Sequence, residues 1–201
     1  IMAATAHIDD LTVNEVAHLA GVSVRKVEKS CEEGIVHKKK YTGYIVKREV
    51  FHVPAETVVY TAALKNCANI SPNKTFKKRL WRFLRTSRGL GGSFGVADLG
   101  EGLLLNLDAI AGTEWSHARS YLAAKNKFLT SDPEILGGEP IIKGTRITCR
   151  SVKGRVDAGD TLDDLVEDYD GEIPKEVFEV ALTYANSHPV RGRPGAGKPW
   201  R

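Results

Sequence analysis

The sequence predicts a mainly α fold with small β-hairpins, an α+β class, on three observations. Apolar residues recur at the three- and four-residue spacing of helices along most of the chain. Strict alternation, the mark of a strand, is confined to short runs bounded by Gly or Pro. Helix-start signals (Thr followed three residues later by an acid) and stop signals (Gly) punctuate the helical stretches. A chain of 201 residues with 42% apolar content supports one large domain or two small ones with real cores.

In order, Thr12 with Glu15 makes a capping box for a first helix bearing Val13, Val16, Ala17 and Ala20. Gly21-Val22 turns the chain, and Ser23 is placed to cap a second helix. Val24, Val27 and Cys31 face inward on it, Arg25, Lys26, Glu28 and Lys29 face outward, and Gly34 stands at its left-handed C-cap. The run "IVHKKKYTGYIVKREVFHV" alternates, turns at Thr42-Gly43 and alternates again, a hairpin with Lys38, Lys39, Lys40 and Tyr41 near its tip. Two short helices, a tight turn and a basic hairpin predict a winged helix-turn-helix. With its "EVAHLAGVS" stretch, the segment resembles the MerR-like winged helix-turn-helix, and that resemblance implies duplex DNA binding.

Pro54 is read as a first-turn residue of a helix carrying Val58, Val59, Ala62 and Ala63. Ser71-Pro72 starts another, with Phe76, Leu80, Phe83 and Leu84 as one stripe and Lys74, Lys78, Arg82 and Arg85 as a second, basic one. A small hairpin (Phe94–Ala97 and Gly102–Leu107) and a helix from Asp108 to about Lys127 follow. The glycines there match no phosphate loop and read as turns and bulges.

The next segment, 131–189, reads as a turn at Gly137-Gly138, a short strand at Ile141-Ile142 and a bend at Lys143–Arg146. Three helices then start at Thr148, Thr161 and Pro174, a helix-turn-helix-like unit. The last carries Val177, Phe178, Ala181, Leu182 and Ala185 inward. Gly144 permits the bend, and Arg146 is read as pairing with a carboxylate of the acidic helices. The acids Asp157, Asp160, Asp163, Asp164, Glu167, Asp168 and Asp170 have no His among them. They read as helix-terminal and solvated charges, not as a metal site.

The stretch "DPEILGGEPIIKGTRI", with "DLVEDY" and "EVALTYANSHP" after it, is similar to the domain-of-unknown-function family numbered 433. The Gly171–Pro174 segment departs from that pattern at a helix boundary. The resemblance implies a VapB-like antitoxin of a toxin–antitoxin pair. It implies a homodimer through 131–189 and a protein partner with a PIN-like nuclease fold, joined in a larger hetero-oligomer.

Charge sorts these segments. The net charge is +4, but residues 36–90 hold 13 basic and 2 acidic side chains, and 131–188 hold 6 and 13. The basic block predicts an anionic partner, and the acidic segment argues against DNA reading by that unit. The candidate DNA-binding residues are Ser23, Arg25, Lys26, Lys29, Lys38, Lys39, Lys40, Tyr41, Lys78, Arg82 and Arg85.

The closing "HPVRGRPGAGKPWR" contains G-x-x-x-x-G-K, most of a phosphate-binding loop. Such a loop needs a strand before it and a helix after it, and Pro199 stands where Ser or Thr would meet Mg²⁺. The tail has no acid and cannot build a core. It is read instead as an extended toxin-binding segment carrying Arg191, Arg193, Lys198, Trp200 and Arg201, with Arg191 or Arg193 forking onto nuclease carboxylates.

The domain reading is therefore 1–90 for the winged helix-turn-helix with extra helices and 91–130 for a hairpin and connecting helix. Residues 131–189 form the antitoxin and dimerisation unit, and 190–201 the basic tail. No nucleophile–base pair or metal-ligand spacing stands out, so neither an enzyme nor a cofactor is expected. The six scattered His read as surface or packing residues. Cys31, Cys67 and Cys149 match no metal spacing and read as reduced thiols. No run approaches a membrane span and no secretory leader is evident, so the expectation is a cytoplasmic bacterial protein. The alternative expectation is a stand-alone winged-helix regulator sensing a ligand in 54–130.

Overall fold

The computed structural model describes residues 10–42, 49–67, 72–87, 92–131 and 134–189. The described chain is mainly helical, with small antiparallel strand pairs. Strand β1 (Asp10–Thr12) leads directly into α1 (Val13–Leu19), and α2 (Val24–Glu32) follows. Then come β2 (Lys39–Thr42), β3 (Glu49–Pro54), α3 (Thr57–Asn66) and α4 (Lys74–Ser87). The hairpin β4 (Val96–Asp98) and β5 (Leu104–Asn106) precedes the long α5 (Leu107–Phe128). The C-terminal segment holds β6 (Leu129–Thr130), β7 (Ile141–Ile142), α6 (Cys149–Asp157), α7 (Leu162–Asp168) and α8 (Lys175–Ser187).

Local chemistry starts and stops these elements. Thr12 and Glu15 form the full capping box of α1, and Thr161 and Asp164 that of α7. Thr148 caps α6 through Ser151 N, and Asn106 caps α5 through Ala109 N. Gly21 turns α1 into α2 at φ +59°, and a Cβ there would meet Lys65 Nζ at 3.0 Å. The Ile142–Ile147 bend closes through Thr145 N to Ile142 O (3.1 Å) and Ile142 N to Ile147 O (2.9 Å).

Two sequence expectations shift, and two short strands are added. Pro54 ends β3, opposite Asp10 of β1, and so opens no helix; without an N–H, Pro suits a strand end. Asn73 begins α4, its side chain accepting from Phe76 N, and Ser71 lies outside the described residues. Strands β1 and β6 escaped the sequence reading because three and two residues are too short to show alternation.

Strand β3 is the centre of a three-stranded antiparallel sheet ordered β1-β3-β2. Behind it one hydrophobic core runs from Leu11 to Ala185. Helix α3 is its axis: Thr57 to Ala63 are all buried, and α3 packs on α5. Helix α8 packs on α6, α5 and α1, which joins the C-terminal segment to the front.

A buried polar node pins that junction. Glu15 is fully buried. Its Oε1 accepts from Tyr121 Oη (2.7 Å) and Lys125 Nζ (2.6 Å), and its Oε2 accepts from Thr12 N (2.7 Å). His188, at the end of α8, lies 3.3 Å from Thr12 Oγ1 through Nε2 and 2.9 Å from Tyr184 O through Nδ1. Its ring also stacks on Tyr184. Burial alone raises the Glu15 carboxyl; the charges of Lys125 and His188 and the hydrogen bonds outweigh it and hold the group below its ordinary value. Burial pushes His188 down, only partly offset by Glu15. His188 is therefore a half-buried packing residue, one of the two roles the sequence suggested for it.

Candidate nucleic-acid interface

Helix α2 presents Ser23, Val24, Arg25, Lys26, Glu28 and Lys29 to solvent and buries Val27 and Ser30. Two expectations fail here. Ser23 stands at the N-cap, but its hydroxyl makes no capping bond, because its own carbonyl already takes Lys26 N at 2.9 Å. Val24 does not face the core: it is 38% exposed, at the open first position of the helix. The exposed basic residues are also not all unopposed. Arg25 Nη1 sits 2.6 Å from Glu32 Oε1 and 3.9 Å from Glu28 Oε2.

The β2–β3 ladder runs from Lys39↔His52 to Thr42↔Glu49. Thr42 is therefore still paired, and Gly43 of the expected turn lies outside the described residues. Residues 43–48 lie outside the described ones. Lys39 stands at the base of the ladder, not its tip, where its ammonium meets Asp10 Oδ2 of β1 at 3.3 Å. Lys38, beside it, lies over the Phe51 ring at 4.3 Å. Lys40 and Tyr41 belong to β2 by backbone.

Helix α4 is strongly one-sided. Leu80 and Leu84 are fully buried, with Phe76 and Phe83 beside them. Its basic residues divide into two groups. Lys77 binds Glu33 (2.9 Å), Arg79 donates to Leu99 O (2.8 Å), and Arg85 binds Glu56 (2.9 Å). Lys74, Lys78 and Arg82 are exposed, and among the described residues their side chains make no ion pair or hydrogen bond. They stand four residues apart, so successive charges rise about 6 Å along the axis. Arg85 shares their stripe but is already committed to Glu56, with Trp81 near its guanidinium at 5.9 Å.

Between α4 and the end of α2 runs an open groove of about 390 Å³, lined by Gly34, Ile35, His37, Lys78, Trp81, Arg82, Arg85 and Thr86. The groove brings Lys78, Arg82 and Arg85 together with His37 and Trp81, which the sequence reading passed over. Trp81 lies one helical turn from Lys78 and Arg85, the signal that an aromatic shares the basic face.

The C-terminal segment is acidic and internally paired. Arg155 Nε binds Asp160 at 2.5 Å, and Arg155 Nη2 also pairs with Asp168, tying α6 to α7. Lys175 binds Asp163 at 2.8 Å, and Lys153 binds Asp157 at 2.7 Å. Arg155 thus does the pairing the sequence assigned to Arg146; Arg146 is exposed and makes no ion pair among the described residues. A cleft of about 450 Å³ between α6 and α8 is floored by Pro140, Cys149, Tyr184 and Ala185 and reaches Pro189. Arg191, Arg193, Lys198, Trp200 and Arg201 lie outside the described residues. Among the described residues no group of three metal-ligand side chains forms, and no helix is long and apolar enough to cross a membrane.

The chain is 38% identical over 72 residues to the uncharacterized protein y4eO of Sinorhizobium fredii. That match covers 36% of this chain and 32% of the relative, so the aligned part spans about a third of that protein's length. Among solved structures it is similar to Rv2018 from Mycobacterium tuberculosis, at 15% identity and a TM-score of 0.39, over 86% of this chain and 96% of that one. Residues 129–185 match the family described as a protein of unknown function, DUF433, so the segment from β6 to α8 carries that family's pattern.

Proposed function

We propose that the protein is a DNA-binding antitoxin: the front binds operator DNA, and the C-terminal segment with its tail holds a nuclease toxin of PIN-like fold. The observation that supports the first half is the row Lys74, Lys78 and Arg82, exposed on α4 beside α2 and unopposed among the described residues. A spaced row of free cations suits phosphates, which fix position without reading sequence. In this reading α1, α2 and the β2–β3 ladder work as a winged helix-turn-helix, with α2 as the reading helix. Exposed Lys26 and Lys29 on α2 add to the phosphate contacts, while Lys38 and Lys39 steady the sheet.

The second half rests on resemblance in the C-terminal segment and on tail chemistry. The acidic α6–α7 surface repels DNA and suits a protein contact, including a second copy of the chain. The tail, with four basic residues and no acid, supplies guanidinium forks for a carboxylate-lined nuclease site. Tagged full-length protein and a version ending at Pro189 would be expressed in the native host and their captured proteins compared by mass spectrometry. A small nuclease held by the first and lost by the second supports the reading. Capture of no nuclease by either contradicts it and leaves a stand-alone regulator.

A further inference from the structure

The groove between α4 and the end of α2 holds an aromatic ring among cations, and contacts to backbone phosphates leave that ring unused. Trp81 is half-buried. It packs at 76° on the fully buried Tyr60, with ring centroids 5.6 Å apart, which fixes the indole before anything binds. Lys78 stands one helical turn before it and Arg85 one turn after it, with Arg82 adjacent. Arg85 is held by Glu56 and keeps its guanidinium 5.9 Å from the ring centroid. Lys78 and Arg82 are exposed and, among the described residues, make no ion pair or hydrogen bond. The other wall, Gly34 and Ile35, carries no charge. A Cβ at Gly34 would meet nothing within 4 Å, so that side of the groove has width for a flat ring.

We propose that this groove is a binding site for a free nucleoside monophosphate, its base stacked on Trp81 and its phosphate held by Lys78 and Arg82. A fixed aromatic side chain stacks on any base, because every base has a π-face. Two free cations match a phosphate monoester, which carries about two negative charges near neutral pH. The Arg82 fork can take two of its oxygens at once. At about 390 Å³ the groove is of small-molecule size. A lone anion would leave the indole unused, and an uncharged ring would leave the cations unused. Lys78 and Arg82 also belong to the row proposed to meet duplex phosphates, so a bound nucleotide and duplex DNA exclude each other. That competition rests on the DNA reading above; the site itself does not.

Titration calorimetry of the full-length protein with adenosine 5′-monophosphate, adenosine and inorganic phosphate separates the two halves of the site. The monophosphate should bind about tenfold or more tightly than either fragment. Arg82→Gln should weaken the monophosphate about tenfold and leave adenosine unchanged. Trp81→Leu should weaken it about tenfold and leave inorganic phosphate unchanged, and Trp81→Phe, which keeps a ring, should recover most of the loss. Arg82 is exposed, so its variant keeps the test open if Trp81→Leu fails to fold. At constant ionic strength the monophosphate should also displace a labelled duplex. Inorganic phosphate binding as tightly as the monophosphate, with Trp81→Phe and Trp81→Leu unchanged, overturns the nucleotide site and leaves a general anion surface. No binding of the monophosphate at millimolar concentration overturns it outright. Monophosphate bound by a protein that retains no duplex upholds the site and overturns the DNA reading.

Discussion

Two clusters of charge in this protein behave in opposite ways. Around Glu15, carboxylate, ammonium, phenol and imidazole are drawn into the interior and bonded to one another. Along α4, Lys74, Lys78 and Arg82 point outward with no internal partner among the described residues. Burying a charge costs several kcal/mol unless its bonds are satisfied, so the Glu15 node exists only because each oxygen has a donor. Exposed charges carry no such penalty, and unpaired ones remain available to a partner. The first cluster holds the front to α5 and α8; the second is the one proposed above to meet phosphates.

The comparison can be broken at its buried side most forcefully. Glu15→Ala removes the α1 cap partner and strands Lys125 and Tyr121, and should cost about 3–5 kcal/mol in urea unfolding. A loss below about 1 kcal/mol would mean that the node is not holding the junction.

Acid sharpens the same contrast. His188 has a folded-state value below the usual 6.5 because of burial, so the unfolded chain binds its proton first. Stability should be full above pH about 6.5 and begin to fall below it. A second loss sets in below the ordinary Glu value of 4.5, because Glu15 is held lower in the fold by Lys125 and its hydrogen bonds against the opposing effect of burial. His188→Gln should remove the upper part of the decline and keep the lower. Denaturant melts from pH 8 to pH 3 read both limbs, and a wild-type profile flat from pH 7 to 5 contradicts the lowered imidazole.

Caps give the smallest contrast. Thr161→Ala should cost about 1 kcal/mol, since its hydroxyl accepts from Asp164 N. Ser23→Ala should cost less than about 0.5 kcal/mol, because its hydroxyl caps nothing. Equal losses in thermal melts would show that the two hydroxyls do not differ.

Much of this was legible in the sequence wherever a signal is local. Capping boxes at Thr12 and Thr161, the stripes of α4 and α8 and the turns at Gly21 and Gly144 follow from spacing within a few residues. What escaped depends on distant partners. Nothing near Glu15 announces Lys125, and nothing near His188 announces Thr12. Likewise the arginine joining the acidic helices is Arg155, and Arg146 was the wrong choice because spacing cannot tell which guanidinium the fold turns inward. Val24 fits the apolar period of α2, but period alone does not show that the helix's first position is uncovered. The uneven fate of α4's cations was hidden for the same reason: Glu33, Glu56 and Leu99 belong to other elements.

The central claim is that the free cations of α4 contact phosphates. Its direct measurement is the salt dependence of binding to unrelated duplex DNA, for wild type and for the triple variant Lys74→Ala, Lys78→Ala, Arg82→Ala. The slope of log affinity against log salt should be shallower in the variant by about 2.7, roughly 0.9 per lost contact, with unchanged thermal stability. Equal slopes, with both proteins folded, would contradict the assignment of α4 to the nucleic-acid interface.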